Sequence, residues 1–94
     1  MILIWSKNSE LTLDEIINYI ENKFGIVVSE KYYYDVITTV EDIRMNPELF
    51  PIYQSYTNTR KAVINKKTIL YYQIQDENIN LLAFYDVRKG VHKL

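Results

Sequence analysis

The sequence of 94 residues contains no cysteine, one histidine, two glycines and two prolines. Without cysteine the chain can form neither a disulfide framework nor a cysteine-based zinc site, and a single histidine argues against a histidine-based metal cluster. The two glycines, Gly25 and Gly90, are too far apart to form a glycine-rich phosphate-binding loop. We therefore expect neither a metal nor a cofactor.

Long apolar runs are also missing. The longest, Met1–Trp5, is far shorter than the roughly 20 residues that span a bilayer, and it lacks the charged lead-in and cleavage site of a signal peptide. We therefore expect a soluble, cytoplasmic protein that does not bind a membrane. The length predicts a single domain over residues 1–94, since domains typically have about 100–150 residues.

The net charge of −1 conceals an uneven distribution. Residues 1–50 contain four basic and nine acidic residues, whereas residues 51–94 contain seven basic and three acidic ones. A chain polarised in this way can present a basic surface although its sum is near zero. The second half therefore has the charge expected of a surface that binds nucleic acid or an acidic protein. The alternative is that these charges only keep a small sheet soluble.

The first half predicts a strand and two helices. Ile2–Trp5 is a short apolar run typical of a strand buried on both faces. Thr12 and Glu15 have the spacing of a capping box, and Gly25 is placed as a left-handed helix end. Between them, apolar residues recur at helical spacing: Leu13, Ile16, Ile17, Tyr19, Ile20 and Phe24.

A second helix is predicted from Ser29 to the residue before Pro47. The apolar stripe of this helix comprises Tyr33, Val36, Ile37, Val40 and Ile43, flanked by Tyr32 and Met45. The link between the helices is short, which predicts an antiparallel hairpin.

Residues 47–59 contain both prolines and are expected to be irregular. Three β-rich runs follow at 60–64, 69–75 and 79–84, and the short polar turns between them predict an antiparallel meander. The element order is therefore β-α-α-β-β-β. We predict an α+β fold in which the helical hairpin packs on one face of a small antiparallel sheet.

Basic residues and tyrosines are the candidates for a functional surface. In such a meander we expect the tail to fold back beside Arg60, clustering the cations near exposed tyrosines that suit phosphate contacts and ring stacking. Tyr71 and Tyr72 should point to opposite faces, one under the helices and one outward. The tyrosines expected to be available to a partner are Tyr53, Tyr56 and Tyr85. His92 is expected to be solvated, or alternatively to act as a general acid or base.

Three segments resemble the RelE/ParE superfamily of bacterial toxins: "ILIWSKNSELTLDEIINYI", "RMNPELFP" and "TRKAVINKKTILYYQIQDENINLLAFYDVRKG". The resemblance covers nearly the whole chain and rests on hydrophobic spacing plus Trp5-Ser6, Asn46-Pro47 and Tyr72. It implies the growth-inhibiting half of a type II toxin–antitoxin module, of the kind that also serves plasmid stabilisation. The cognate antitoxin would bind through an acidic segment on the basic meander and the groove beside the hairpin, forming a hetero-oligomer.

The superfamily includes two activities. RelE-like members cut mRNA on the ribosome with basic residues on the sheet and a C-terminal tyrosine or histidine, whereas ParE-like members poison DNA gyrase. The opening "LTLDEIINYI" looks more ParE-like. A RelE-like chain would carry an arginine just ahead of Tyr72, where Ile69 and Leu70 stand, and its second basic position on the preceding strand is here Ala62.

If the protein were a nuclease, the resemblance would assign catalysis to Arg60, Arg88, Lys89 and, loosely, His92. Metal-free RNA cleavage also needs an acid and a base, which this sequence supplies sparingly. We therefore expect gyrase inhibition, with ribosome-dependent mRNA cleavage and a non-toxic antitoxin-binding relic as alternatives. The residues expected to bind the target or the antitoxin are Arg60, Lys61, Lys66, Lys67, Tyr85, Arg88, Lys89 and Lys93.

Overall fold

The computed structural model describes residues 1–89 and confirms the α+β class: two helices pack on a five-stranded sheet. The helices are α1 (Lys7–Phe24) and α2 (Ile26–Met45). The strands are β1 (Ile2–Trp5), β2 (Ile52–Gln54), β3 (Thr59–Ile64), β4 (Thr68–Gln75) and β5 (Asn78–Asp86). Neither helix is long and apolar enough to cross a membrane.

The sheet is mixed, in the order β1-β5-β4-β3-β2, because β1 pairs with β5 in parallel while the other pairs are antiparallel. The prediction of a wholly antiparallel sheet was wrong for this strand. As an edge strand that lies under the helices on one side only, β1 is also not buried on both faces. Ile2 and Ile4 are exposed, whereas Leu3 and Trp5 are partly buried against the core.

Strand β2 lies within the segment predicted to be irregular. It has three exposed residues directly after Pro51, and only Ile52 and Gln54 pair with β3. A strand this short shows no period-two pattern, which is why the sequence did not reveal it.

The N-cap of helix α1 lies six residues before Thr12, the predicted one. Ser6 is the N-cap, and its side chain accepts a hydrogen bond from the Ser9 amide at 3.0 Å. The Thr12 hydroxyl instead donates to the Asn8 carbonyl and accepts from the Phe84 amide at 3.0 Å. Thr12 therefore ties the helix to β5 rather than starting it.

Gly25 ends α1 as predicted, and its φ of +95° is positive, a conformation that favours glycine. Its ψ of 170° is extended, so the cap is not the left-handed helical one that was predicted. Because the same glycine precedes the first residue of α2, this helix begins at Ile26 rather than at Ser29. The helices are joined by one residue, so they pack as a hairpin over the sheet.

The buried stripe of α2 is offset from the predicted one. Tyr32 is 4% exposed and belongs to the core, whereas Tyr33 is 49% exposed, so the core assignment of Tyr33 was wrong. The residues buried from this helix are Ser29, Tyr32, Val36, Val40 and Ile43. Apolar residues cover a wide arc of α2, and the sheet selects which part of the arc is buried.

The register of β4 and β5 shifts between Tyr71 and Tyr72, which pair with Ala83 and Leu81 respectively. Tyr72 belongs to the core under the helices. Tyr71 lies outside that cluster and packs edge-on against Tyr53, with ring centroids 5.0 Å apart. The two rings therefore point to opposite faces of the sheet as predicted, but Tyr71 on the outer face is also buried and is not accessible to solvent.

Candidate functional site

The strand register divides the charged residues between two ends of the sheet. At one end, Ile64, Thr68 and Asp86 are neighbours on β3, β4 and β5; at the other, Gln75 pairs with Asn78 and Thr59 with Gln73. We call the first the cationic end (residues 21–35, 65–68 and 86–89) and the second the acidic end (residues 41–48, 58–60 and 75–78).

The two ends differ in composition as well as in position. The cationic end has six basic residues, namely Lys23, Lys31, Lys66, Lys67, Arg88 and Lys89, against Glu21, Glu30, Asp35 and Asp86. The acidic end has five acidic residues, namely Glu41, Asp42, Glu48, Asp76 and Glu77, against Arg44 and Arg60. The asymmetry seen along the sequence is therefore an asymmetry in space.

For residues 86–89, the described part of the tail, the expectation that it folds back beside Arg60 was wrong. In a three-stranded antiparallel meander the first and third strands run in the same direction, so the start of β3 and the end of β5 lie at opposite ends. Arg60 pairs with Tyr72, which in turn pairs with Leu81, whereas Asp86 pairs with Thr68. Arg60 and Arg88 therefore do not share a site.

Arg60 is engaged in holding the segment that precedes β2. One guanidinium nitrogen, Nη1, donates to the Phe50 carbonyl at 2.7 Å and to the Glu48 carbonyl at 3.3 Å. The Tyr72 hydroxyl donates to the Pro47 carbonyl at 2.7 Å, and burial raises the pKa of Tyr72. Arg60 thus serves the fold, and it is not a free cation.

Arg88 is engaged in a similar way at the cationic end. Its Nε and Nη2 donate to the two oxygens of Asp86 at 2.9 and 2.7 Å, and its amide donates to Oδ1 at 2.9 Å. The guanidinium lies 5.7 Å from the centroid of the Tyr32 ring. The Tyr19 hydroxyl donates to the Arg88 carbonyl at 2.7 Å, so side chain and backbone are both fixed.

Asp86 is the buried centre of this arrangement. Its carboxylate also accepts from Thr68 at 2.6 Å, and Thr68 is hydrogen-bonded to the Tyr32 hydroxyl at 3.2 Å. Burial alone would raise the pKa of Asp86, but the bonds from Arg88 and Thr68 outweigh it and hold the pKa below its ordinary value. Burial raises the pKa of Tyr32 to about 12, so Asp86 is charged and Tyr32 is neutral at pH 7.

Lysines supply the accessible charge at this end. Lys66, Lys67 and Lys89 are exposed and form no ion pair within residues 1–89. Asn65 and Lys66 have positive φ, as a tight hairpin turn requires, and the turn holds the Lys67 side chain beside α2. A cavity of about 390 Å³ there is lined by Val27, Val28, Lys31, Tyr32, Asp35, Asn65, Lys67 and Arg88.

Lys61 and Tyr85 lie on neither end but on the sheet face away from the helices. Lys61 pairs with Tyr71, and its Nζ lies 5.9 Å from the centroid of the Tyr53 ring. Tyr85 pairs with Ile69 and is partly buried. Tyr53 and Tyr56 are exposed, as predicted. This face is an aromatic surface with a single lysine.

The residues predicted to form a nuclease site are therefore divided. Arg88 and Lys89 are adjacent, Arg60 lies at the other end of the sheet, and His92 lies outside the described residues. Lys93, which was predicted only as a binding residue, also lies outside them. Within residues 1–89 no group of three or more His, Cys, Asp or Glu side chains could hold a metal ion. Sequence reasoning missed Asp86, although an acid two residues before Arg88 was a signal for a local ion pair.

A family model described as the ParE toxin of the type II toxin–antitoxin system parDE matches residues 3–90. A solved structure from P. aeruginosa, titled "Chromosomal ParDE TA system", has a similar fold, with a TM-score of 0.79. The two chains are 15% identical, and the match covers 92% of this chain and 95% of that one. No curated protein matches the chain.

Proposed function

Since the chain belongs to the ParE toxin family of type II toxin–antitoxin systems, we propose that it inhibits growth by poisoning DNA gyrase and is neutralised by a cognate antitoxin. The observation that carries the choice of target is the separation of the cations that a nuclease would have to bring together. We place the protein in the cytoplasm, where gyrase acts.

RNA cleavage without a metal needs an acid, a base and a cation around one phosphate. Arg60 is occupied by backbone carbonyls, and the charge of Arg88 is already balanced by the buried Asp86. The titratable neighbours of the two arginines include tyrosines whose hydroxyls are already hydrogen-bonded: Tyr72 beside Arg60, and Tyr19 and Tyr32 beside Arg88. Inhibition of a protein needs only a complementary surface, and the described residues offer one at the cationic end and another on the aromatic sheet face.

The test is expression of this chain without antitoxin, followed by mapping of cellular RNA ends and of gyrase-linked DNA breaks. We expect double-strand breaks without codon-positioned mRNA cuts. The His92→Ala variant should remain as toxic as the wild type, because gyrase poisoning needs no proton transfer from this side chain. Codon-positioned cuts that disappear in that variant would contradict the proposal in favour of the nuclease. Unhindered growth would contradict it in favour of a non-toxic relic.

A further inference from the structure

Large apolar side chains are exposed where the two helices meet. Phe24 ends α1, and Ile26, Val27 and Val28 open α2, with Val27 76% exposed. A helix start is usually occupied by polar residues that cap the backbone amides, and here no side chain caps α2. Exposed apolar residues in a contiguous group of this kind mark an interaction surface.

Unpaired lysines adjoin these apolar residues. Val27 and Val28 line the same cavity as Lys67. Lys66 directly precedes Lys67 in the sequence, and Lys89 directly follows Arg88, which also lines the cavity. Two of the four acids nearby are already engaged: Asp35 pairs with Lys31 at 3.2 Å and accepts from Asn65, and Asp86 pairs with Arg88. The other two, Glu21 and Glu30, are exposed at the flanks of the tip and form no ion pair with the three lysines within residues 1–89. The apolar group is therefore bordered by lysines whose charge is not paired.

We propose that the tip surface, formed by Phe24, Ile26, Val27, Val28, Lys66, Lys67 and Lys89, binds an acidic peptide segment that carries aliphatic side chains. The aliphatic groups would cover the apolar residues, and the carboxylates would face the three lysines. Resting on the proposed function, this segment belongs to the antitoxin. Arg60 has no part in the contact, because it lies at the other end of the sheet and holds backbone carbonyls. Arg88 lines the cavity but contributes no unpaired charge, because its guanidinium is paired with Asp86.

Charge complementarity separates this surface from exposed apolar side chains at the acidic end. Met45 there is 75% exposed, nearly the same as Val27, but the charges near it in the sequence are Glu41, Asp42 and Glu48 against Arg44, which already pairs with Glu41. An acidic segment would be repelled there.

A peptide also fits the tip surface better than an anionic lipid surface does. Basic and apolar residues together can bind anionic membranes. Glu21 and Glu30, however, flank the tip and are exposed, so a flat anionic surface would meet both carboxylates. A peptide side chain can instead enter the cavity and leave the glutamates in water.

The test measures the affinity of tagged toxin variants for the antitoxin encoded beside it, titrated by calorimetry. We expect Lys67→Glu combined with Lys89→Glu, and separately Val27→Asp, to weaken binding at least tenfold. Met45→Asp and Lys7→Glu, the latter at the opposite end of α1 from the tip surface, are the matched controls, expected to change affinity by less than twofold. Thermal unfolding of each variant checks that the fold is kept, which we expect because all the substituted side chains are exposed.

Each outcome decides the question. Unchanged affinity in the charge-reversal and Val27 variants, with tight binding by the wild type, would overturn the tip surface and leave the proposed function standing. Failure of the wild-type toxin to bind the antitoxin would overturn both. Binding of the free toxin to phosphatidylglycerol vesicles, lost on Val27→Asp while antitoxin affinity is kept, would reassign the surface to a membrane and overturn the proposal.

Discussion

The two ends of the sheet use arginine in the same way but differ in what remains accessible. At the acidic end Arg60 donates to the Phe50 and Glu48 carbonyls, and at the cationic end Arg88 forms a two-bonded pair with Asp86. Exposed acids remain around the first, and exposed lysines remain around the second. A count of basic residues therefore overstates the surface available to a partner.

The physical reason lies in the side chains themselves. A guanidinium offers several donors in a fixed plane, so it can satisfy buried acceptors without losing its charge. A lysine holds its charge on a flexible stem and is costly to bury, so it remains in water. The comparison predicts that the arginines govern stability and that the lysines govern binding.

The largest effect should come from removing the buried acid of the cationic end. Asp86→Asn leaves Arg88 without its counter-charge, and we expect a loss of about 3 kcal/mol in the free energy of unfolding at pH 7. Asp76→Asn at the acidic end, in an exposed turn whose positive φ suits asparagine, should cost less than about 0.5 kcal/mol. Urea unfolding of both variants measures the difference.

The same pair of variants should differ in pH dependence. The pKa of Asp86 is lowered in the folded state, so its contribution is fully present above the unfolded value of about 3.9 and is lost as the pH falls through the folded value. The gap between wild type and Asp86→Asn should therefore be widest near neutral pH and should close below about pH 4. If the difference in unfolding free energy between the two proteins stayed constant at acidic pH, the Asp86–Arg88 ion pair would not be its cause.

A smaller loss is expected from the arginine of the acidic end. Arg60→Gln removes a charged donor from the Phe50 and Glu48 carbonyls, which should cost about 1–2 kcal/mol. The neighbouring Lys61→Gln changes a side chain on the open sheet face and should cost less than about 0.5 kcal/mol. Chemical denaturation compares the two, and equal losses would show that Arg60 is no more than a surface charge.

The smallest effect tests the orientation of α2 at the cationic end. Tyr32→Phe removes a buried hydroxyl bonded to Thr68 and should cost about 1 kcal/mol. Tyr33→Phe removes an exposed hydroxyl and should be neutral within about 0.5 kcal/mol. A larger loss of stability for Tyr33→Phe than for Tyr32→Phe would instead support the helix orientation predicted from apolar spacing, in which Tyr33 is buried.

Much of the fold could be predicted from the sequence, because local patterns carry it. Apolar spacing identified both helices, Gly25 marked their junction, and polar turns separated the last three strands. The features that could not be predicted depend on contacts between distant segments. The sheet decides which arc of α2 is buried, and β1 pairs with β5, which lies at the other end of the described chain. Strand β2 is too short to show a period.

The candidate site was predictable only as a set of residue types. Residue counts identified the basic second half, but strand direction decides that Arg60 and Arg88 lie at opposite ends. The pairing of Asp86 with Thr68 is set by register, and the exposure of Val27 depends on how the hairpin sits over the sheet. The first relation follows from the predicted meander once strand direction is considered, whereas the other two are present in neither composition nor spacing.

Hydrogen–deuterium exchange of the toxin with and without its antitoxin tests the central contrast most directly. We predict that the antitoxin slows exchange at the helix junction and the β3–β4 turn, in residues 24–28 and 65–68. Exchange at the acidic end, in residues 41–48 and 75–78, should be unchanged. Protection confined to the acidic end, with none at the tip surface, would contradict the account.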